Sequence, residues 1–273
     1  VEKYLRHFVL ACSLVACSIA HADETWRALD PDNTLIIDTT KGQIVVELNP
    51  LAAPLGVERI KLLARDGTYN GLQFHRVIDG FVAQTGNPNN TDGGASKHPD
   101  LAPEFTFKLE PHISYTPAQH ATDTISGFIG VFPFQSEPQD VAVKLKRPPR
   151  AWGAYCPGAL GMGRQDAINT ANSEIFFMRE ASRRLDHDYT MVGMTVAGLD
   201  VIRALNVGEP PASPDLMTRV RVWRDVPSLE RPRLDVMNTE SPAFRDIIAQ
   251  ARVAKGADLS VCDVAVPTRG GGS

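Results

Sequence analysis

The pattern of apolar and polar residues predicts short strands at several places along this chain, and a helical period at a few others. Residues 34–39 and 42–48, both rich in branched aliphatic residues, stand on either side of a Lys41-Gly42 turn and predict a β-hairpin. Behind Pro50 and Pro54, the stretch 55–65 carries Leu55, Ile60, Leu62 and Leu63, predicting an amphipathic helix ended by Asp66-Gly67. The chain then enters Phe74-His75-Arg76-Val77-Ile78-Asp79-Gly80-Phe81-Val82-Ala83-Gln84-Thr85-Gly86, where one arginine and one glutamine interrupt apolar residues. Alternation puts Phe74, Arg76 and Ile78 on one face and His75 and Val77 on the other. Either face, once buried, therefore carries a group that needs a hydrogen-bond partner. Asp79-Gly80 predicts the turn into a returning strand.

Further strands are expected at 158–162 and 175–179, joined by a polar loop over 163–172, then at 189–192 and 219–223, with a second helix at 198–205. About eight short strands and two helices predict an all-β-dominated fold, a closed eight-stranded antiparallel β-barrel capped by two α-helices. Residues 23–33 read as a polar lead-in. At the other end, 227–232 reads as a linker and Ser241-Pro242 as a helix start, with Ser as N-cap and Pro at the first position. Phe244, Ile247, Ile248 and Ala251 share one face of that helix, which is expected to lie back on the barrel. Residues 270–273 read as a flexible end.

Charge adds little. A net charge of −4 and a pI near 6.0 exert no general pull on nucleic acid or anionic lipid, and Lys144-Leu145-Lys146-Arg147 reads as a solvated loop. Residues 1–22 stand apart: Lys3 and Arg6, an apolar run over 8–20 and Ala20-His21-Ala22 predict an export signal, too short to span a membrane. The competing reading is a bacterial lipobox, Leu14-Val15-Ala16-Cys17, which would put a lipid anchor on Cys17. Removal of the signal leaves Cys156 and Cys262, either a disulfide contributing roughly 4 kcal/mol or two buried thiols. No Cys-x-x-Cys or His-Glu-x-x-His spacing occurs, and neither metal nor other cofactor is expected. Asp92-Gly93-Gly94 is followed by no Gly-Lys-Ser/Thr, so phosphate binding is a weak reading there and a backbone-lined site is expected instead. For Arg76 the residues alone leave two readings: a guanidinium snorkelling to water, or one wall of a half-apolar pocket with a phenyl ring and an amide.

The stretch from Phe74 to Gly86 resembles the signature of the cyclophilins, peptidyl-prolyl cis/trans isomerases. The resemblance continues in order over about 34–226, through Pro103-Glu104-Phe105, Gly158-Ala159-Leu160-Gly161-Met162, Asn172-Ser173-Glu174-Ile175-Phe176-Phe177, Leu185-Asp186 and Val192-Gly193. It implies three parts: a signal at 1–22, a barrel domain at 23–226 with an insertion at about 116–155, and an extension at 227–273. The insertion is rich in Pro and Phe; residues 127–134 could form an apolar hairpin or flap, and the insertion is expected to touch the substrate groove or to dock on the extension.

An X-Pro bond resists rotation by about 18–20 kcal/mol because the nitrogen lone pair is delocalised into the carbonyl. A catalyst needs a slot for the proline ring and a donor aimed at that nitrogen, whose lone pair is free only in the twisted transition state. By resemblance Arg76 is that donor, Gln84 orients it and Phe74 supports it from below. Phe81, Val82, Phe176 and Leu185 form the proline pocket, and Gly163, Arg164, Glu174 and Tyr189 join the substrate groove.

Some positions depart from the family pattern. Glu174 stands for a usual glutamine and is expected to pair with Arg76 or compete for its donors, lowering activity on the acid side. Ile175 replaces an aromatic residue, Tyr189 a frequent histidine, and Thr85 a glycine expected at the pocket edge. Arg184 stands for a tryptophan that binds cyclosporin, implying weak drug binding. The implied protein is a monomeric periplasmic isomerase of a Gram-negative bacterium acting on proline-containing polypeptides, with no nucleic-acid partner and no membrane span. The alternatives are a binding module or chaperone on the same fold with little turnover, and a barrel for small ligands or glycans.

Overall fold

The structure, a computed structural model, describes residues 25–91, 93, 95–121 and 124–270, with positions 120 and 121 given by backbone alone. The export signal with Cys12 and Cys17, Asp92, Gly94 and the last three residues lie outside the described residues.

The expected strands belong to a nine-stranded antiparallel sheet. Its order is Leu72–Gln73, Leu216–Val222, Thr34–Thr39, Gly42–Leu48, Met191–Ala197, Ala159–Met162, Ile175–Met178, Val82–Thr85 and Arg76–Val77. The two edge strands, Leu72–Gln73 and Arg76–Val77, are separated along the chain by Phe74 and His75 alone, so the sheet curls strongly on itself. Leu35, Ile37, Ile44, Val46, Leu160 and Phe177 fill its inside.

Helix α1, Pro54–Arg65, packs into that core through only part of the face expected. Val57, Ile60 and Leu63 are buried, whereas Leu55 and Leu62 are 48% and 44% exposed. The phase is set by Gly56, where an added Cβ would sit 2.8 Å from Val192 Cγ1; no bulkier residue fits so close to the sheet. Its first N–H groups are satisfied from afar, Leu55 and Gly56 donating to the Glu104 carboxylate at 2.9 and 2.8 Å.

The segment expected to be a loop insertion is a second, five-stranded antiparallel sheet, ordered Phe107–Lys108, Arg150–Gly153, Phe132–Ser136, Thr124–Ile129 and Thr116–Ala121, with helix α2, Gln139–Lys144, between two of its strands. It starts before residue 116. Helix α3, Leu199–Arg203, follows the strand Met191–Ala197. The polar lead-in carries a strand: Trp26–Ala28 pairs with Leu234–Met237, which pairs in turn with Thr268–Gly270 in a third sheet.

Helix α4, Pro242–Lys255, begins as its sequence predicts, the Ser241 hydroxyl accepting from Phe244 N–H at 3.3 Å. It lies on the second sheet rather than on the main one. Phe244 meets the Phe128 ring edge-on at 5.2 Å, Arg252 Nη2 donates to the Ala118 carbonyl at 2.6 Å, and Thr116 Oγ1 donates to Thr239 O at 2.7 Å. A disulfide joins Cys156, at the root of the strand Ala159–Met162, to Cys262 in the C-terminal segment.

Candidate active site

The register of four strands places the candidate chemistry. Arg76 is opposite Gln84, Gln84 is opposite Phe176, and Phe176 is opposite Gly161. Residues directly opposite in an antiparallel sheet share a face, so this row points outward together. The neighbouring row, Val77, Ala83, Phe177 and Leu160, points into the core. Gly161 has to be glycine: a Cβ there would lie 2.4 Å from Phe176 Cζ, so its absence lets the phenyl ring lie across the strand.

The hairpin differs from the simple alternation. Phe74 and His75 form no ladder, and Phe74 turns inward, fully buried 6.3 Å from Phe177. Expected to support the guanidinium from below and to belong to the substrate site, it lies in the core and does not line the groove. Ile78 N–H donates to Val82 O at 2.8 Å and Phe81 N–H to Ile78 O at 3.2 Å, closing the Asp79-Gly80 turn. Gly80 has φ +64°, the left-handed conformation the turn needs.

Arg76, Phe81, Val82, Gln84, Phe176 and Leu185 line one groove of about 640 Å³. Gly163, Arg164, Glu174 and Tyr189 continue it. The Arg76 guanidinium is held on two edges: Nε donates to Glu209 Oε2 at 2.7 Å and Nη1 to Gln84 Oε1 at 3.0 Å. Its Nη2 has no protein partner among the described residues. Phe176 stacks on Tyr155 at 5.6 Å and meets Tyr189 edge-on at 5.7 Å, which fixes the apolar floor. Two cations cover aromatic walls: Arg184 lies 4.6 Å over Phe81, and Arg164 lies 4.6 Å over Tyr189 while donating to Asp188 at 2.9 Å.

Two departures from the family pattern turn out to be located differently from the expectation. Glu174 makes no ion pair with Arg76; it is buried, accepts from Gly93 N–H at 3.0 Å and has His75 Nε2 at 3.9 Å. Thr85 is fully buried, donating to Gln73 O at 2.8 Å, and so lies away from the pocket edge. The carboxylate on Arg76 is Glu209, which sequence reasoning missed, because it follows 133 positions later in a loop without a motif.

The second sheet reaches the site from behind. Phe132, Phe134 and Ile125 share a cluster with Val82, Phe176, Met178 and Tyr155. Arg183, beside the pocket residue Leu185, hydrogen-bonds Gln135, and the Trp152 ring meets His187 at 4.8 Å. Asp186 accepts from Tyr155 N–H at 3.0 Å and from Arg183 Nε at 2.5 Å. Burial raises the Asp186 carboxyl above its ordinary value against the opposing pull of Arg183. Burial likewise raises the Tyr155 phenol, with the nearby Asp186 adding to the shift, so the ring that backs Phe176 stays neutral.

Comparison with known proteins settles what this arrangement belongs to. Residues 34–222 match the model of the cyclophilin type peptidyl-prolyl cis-trans isomerases. The chain belongs to the cyclophilin family. A probable peptidyl-prolyl cis-trans isomerase of Brucella suis is 32% identical over 217 residues, 76% of this chain and 87% of that protein. A peptidyl-prolyl cis-trans isomerase of Helicobacter pylori is 40% identical over 90 residues, 33% of this chain and 50% of its own length. Among solved structures, the cyclophilin AquaCyp293 from Hirschia baltica superposes with a TM-score of 0.83 at 33% identity, covering 91% of this chain and 94% of the other.

Proposed function

We propose that this cyclophilin rotates X-Pro bonds in exported polypeptides, with Arg76 as the donor to the prolyl nitrogen and Phe81, Val82, Phe176 and Leu185 as the proline pocket. The observation that carries the reading is the cross-strand row: the guanidinium and the phenyl floor stand on one face, separated by Gln84. A proline ring on Phe176 would present its nitrogen toward Arg76 Nη2, the edge without a protein partner. As the amide twists, the nitrogen regains its lone pair and accepts from that N–H, so the bond exists only in the transition state. Arginine stays charged at any physiological pH and needs no proton relay. Gln84, engaged through its carbonyl, acts on the guanidinium rather than on substrate, and Gly163, Arg164, Glu174 and Tyr189 accommodate the flanking residues.

We read the nine-stranded sheet as wound into the family's barrel, supported by the two edge strands being consecutive in the chain. Export to an oxidising periplasm is supported by the Cys156–Cys262 disulfide, since such bonds persist outside the reducing cytosol. The test is acceleration of cis-to-trans conversion in an X-Pro tetrapeptide, together with cell fractionation and the mass of the mature N-terminus. Parent protein that leaves the peptide rate unchanged overturns the catalytic reading, and a chain retained with its signal in the cytosol overturns the export.

A further inference from the structure

Arg76 is held by a group outside the groove, and the way that group is delivered is built into the backbone. Val77 and Gly208 form an antiparallel bridge, Val77 N–H donating to Gly208 O at 2.8 Å and Gly208 N–H to Val77 O at 2.9 Å. Both bonds are exchanged, so 77 and 208 are a hydrogen-bonded pair, and their neighbours 76 and 209 are the adjacent pair, whose side chains stand closer. Arg76 and Glu209 are therefore directly opposite on one face, with opposite charges. Gly208 permits the tight turn that follows the bridge and carries Glu209: a Cβ there would lie 2.4 Å from Pro211 Cα and 2.8 Å from Pro210 O.

The loop that carries Glu209 is rooted on both sides of the bridge. Asn206 N–H donates to Asp215 Oδ2 at 2.8 Å and Asn206 Nδ2 to Ser213 O at 2.9 Å. Arg179 Nη2 and Nη1 donate to Arg203 O and Leu205 O at 2.8 and 3.2 Å. Glu209 lines a small hollow with His75, Asn90, Thr91 and Pro210 behind Arg76 and does not line the groove itself. Its carboxylate takes Nε–H while Gln84 takes Nη1–H. A guanidinium is planar, so fixing two of its N–H directions fixes the third.

We infer that Glu209 is a positioning residue for Arg76: it clamps the guanidinium from behind and leaves Nη2 aimed into the proline pocket. This rests on Arg76 being the catalytic donor. A residue that acts only through Arg76 lowers turnover, leaves peptide binding alone, and has nothing further to lose once Arg76 is gone.

The experiment measures kcat and KM separately for an X-Pro tetrapeptide with the parent, Glu209→Ala, Glu209→Gln, Arg76→Ala and the double variant Arg76→Ala/Glu209→Ala. Glu209 is half-exposed, with its side chain 53% accessible, so replacing it removes little packing, and circular dichroism verifies the fold of every variant. For Glu209→Ala, kcat falls about tenfold, the loss of one charge-assisted hydrogen bond, while KM stays within about twofold. Glu209→Gln recovers part of that rate, because its amide oxygen still accepts from Nε. The double variant is as slow as Arg76→Ala and no slower. Unchanged or faster turnover in Glu209→Ala, a loss confined to KM, or losses that multiply in the double variant overturn the inference. An inactive Arg76→Ala beside an unaffected Glu209→Ala overturns it alone; an Arg76→Ala variant as active as the parent overturns the donor assignment along with it.

Discussion

Replacing both Cys156 and Cys262 by serine removes a cross-link between residues 106 positions apart. In the chain-entropy model, closing a loop of that length restricts the unfolded state by about 4.7 kcal/mol at room temperature. Little in the folded state offsets the loss, because α4 keeps its own contacts with the second sheet through Phe128, Thr116 and Ala118. For a domain of this size, 1 kcal/mol moves the melting temperature by roughly 2–4 °C, so the double serine variant should melt roughly 10–20 °C lower. Urea unfolding followed by fluorescence reads both halves of the molecule, with Trp152 in the second sheet and Trp223 just after a main-sheet strand. The parent under reductant should unfold with the midpoint of the variant. Equal midpoints for the oxidised parent and the variant would refute the reasoning. The same variant should keep most of its peptide isomerisation, since Tyr155, which backs Phe176, is also held by Asp186 through its N–H.

Gly161→Ala puts a methyl group 2.4 Å from Phe176 Cζ and 2.7 Å from the Tyr155 hydroxyl, so the ring must move and proline affinity should fall by at least about tenfold, read as a rise in KM; unchanged KM in a folded variant would argue against Phe176 as the pocket floor. The Glu137 carboxyl is held below the usual glutamate value of 4.5, first by the Arg147 side chain and then by Arg150 N–H, so its contribution to stability is present above 4.5 and is lost as pH falls through the lowered folded value. Glu137→Gln should therefore flatten the acid side of the stability curve, and an equally steep acid loss in that variant would count against the clamp.

How much could be read beforehand depends on where each partner sits. Hairpin 34–48 carries its pairing within itself, and its aliphatic strands and turn were sufficient to place it. The apolar run at 127–134 was legible as a hairpin for the same reason, the strands Thr124–Ile129 and Phe132–Ser136 being neighbours in the chain. Strands such as Trp26–Ala28 and Arg150–Gly153 are short and half-polar, and they exist because distant segments pair with them. Leu55 and Leu62 are typical inward residues of an amphipathic helix, yet the close fit at Gly56 rotates them out. Phe74 follows the alternation on paper, but the ladder breaks at 74 and 75, and the break carries it from the outer face to the core. Most of the expected groove residues do meet in one cavity, because the row Arg76, Gln84 and Phe176 follows from strand register. Glu209 was invisible, since its place depends on a single bridge between Val77 and Gly208.

The central claim is that a guanidinium and a phenyl floor on one sheet face catalyse proline rotation. It is tested most directly by the isomerisation rate of an X-Pro tetrapeptide with Arg76→Ala beside the parent, both shown folded by circular dichroism. The account predicts a fall in kcat of about 10- to 100-fold, the worth of one charge-assisted hydrogen bond made only in the transition state. A folded Arg76→Ala variant that turns the peptide over as fast as the parent would contradict it.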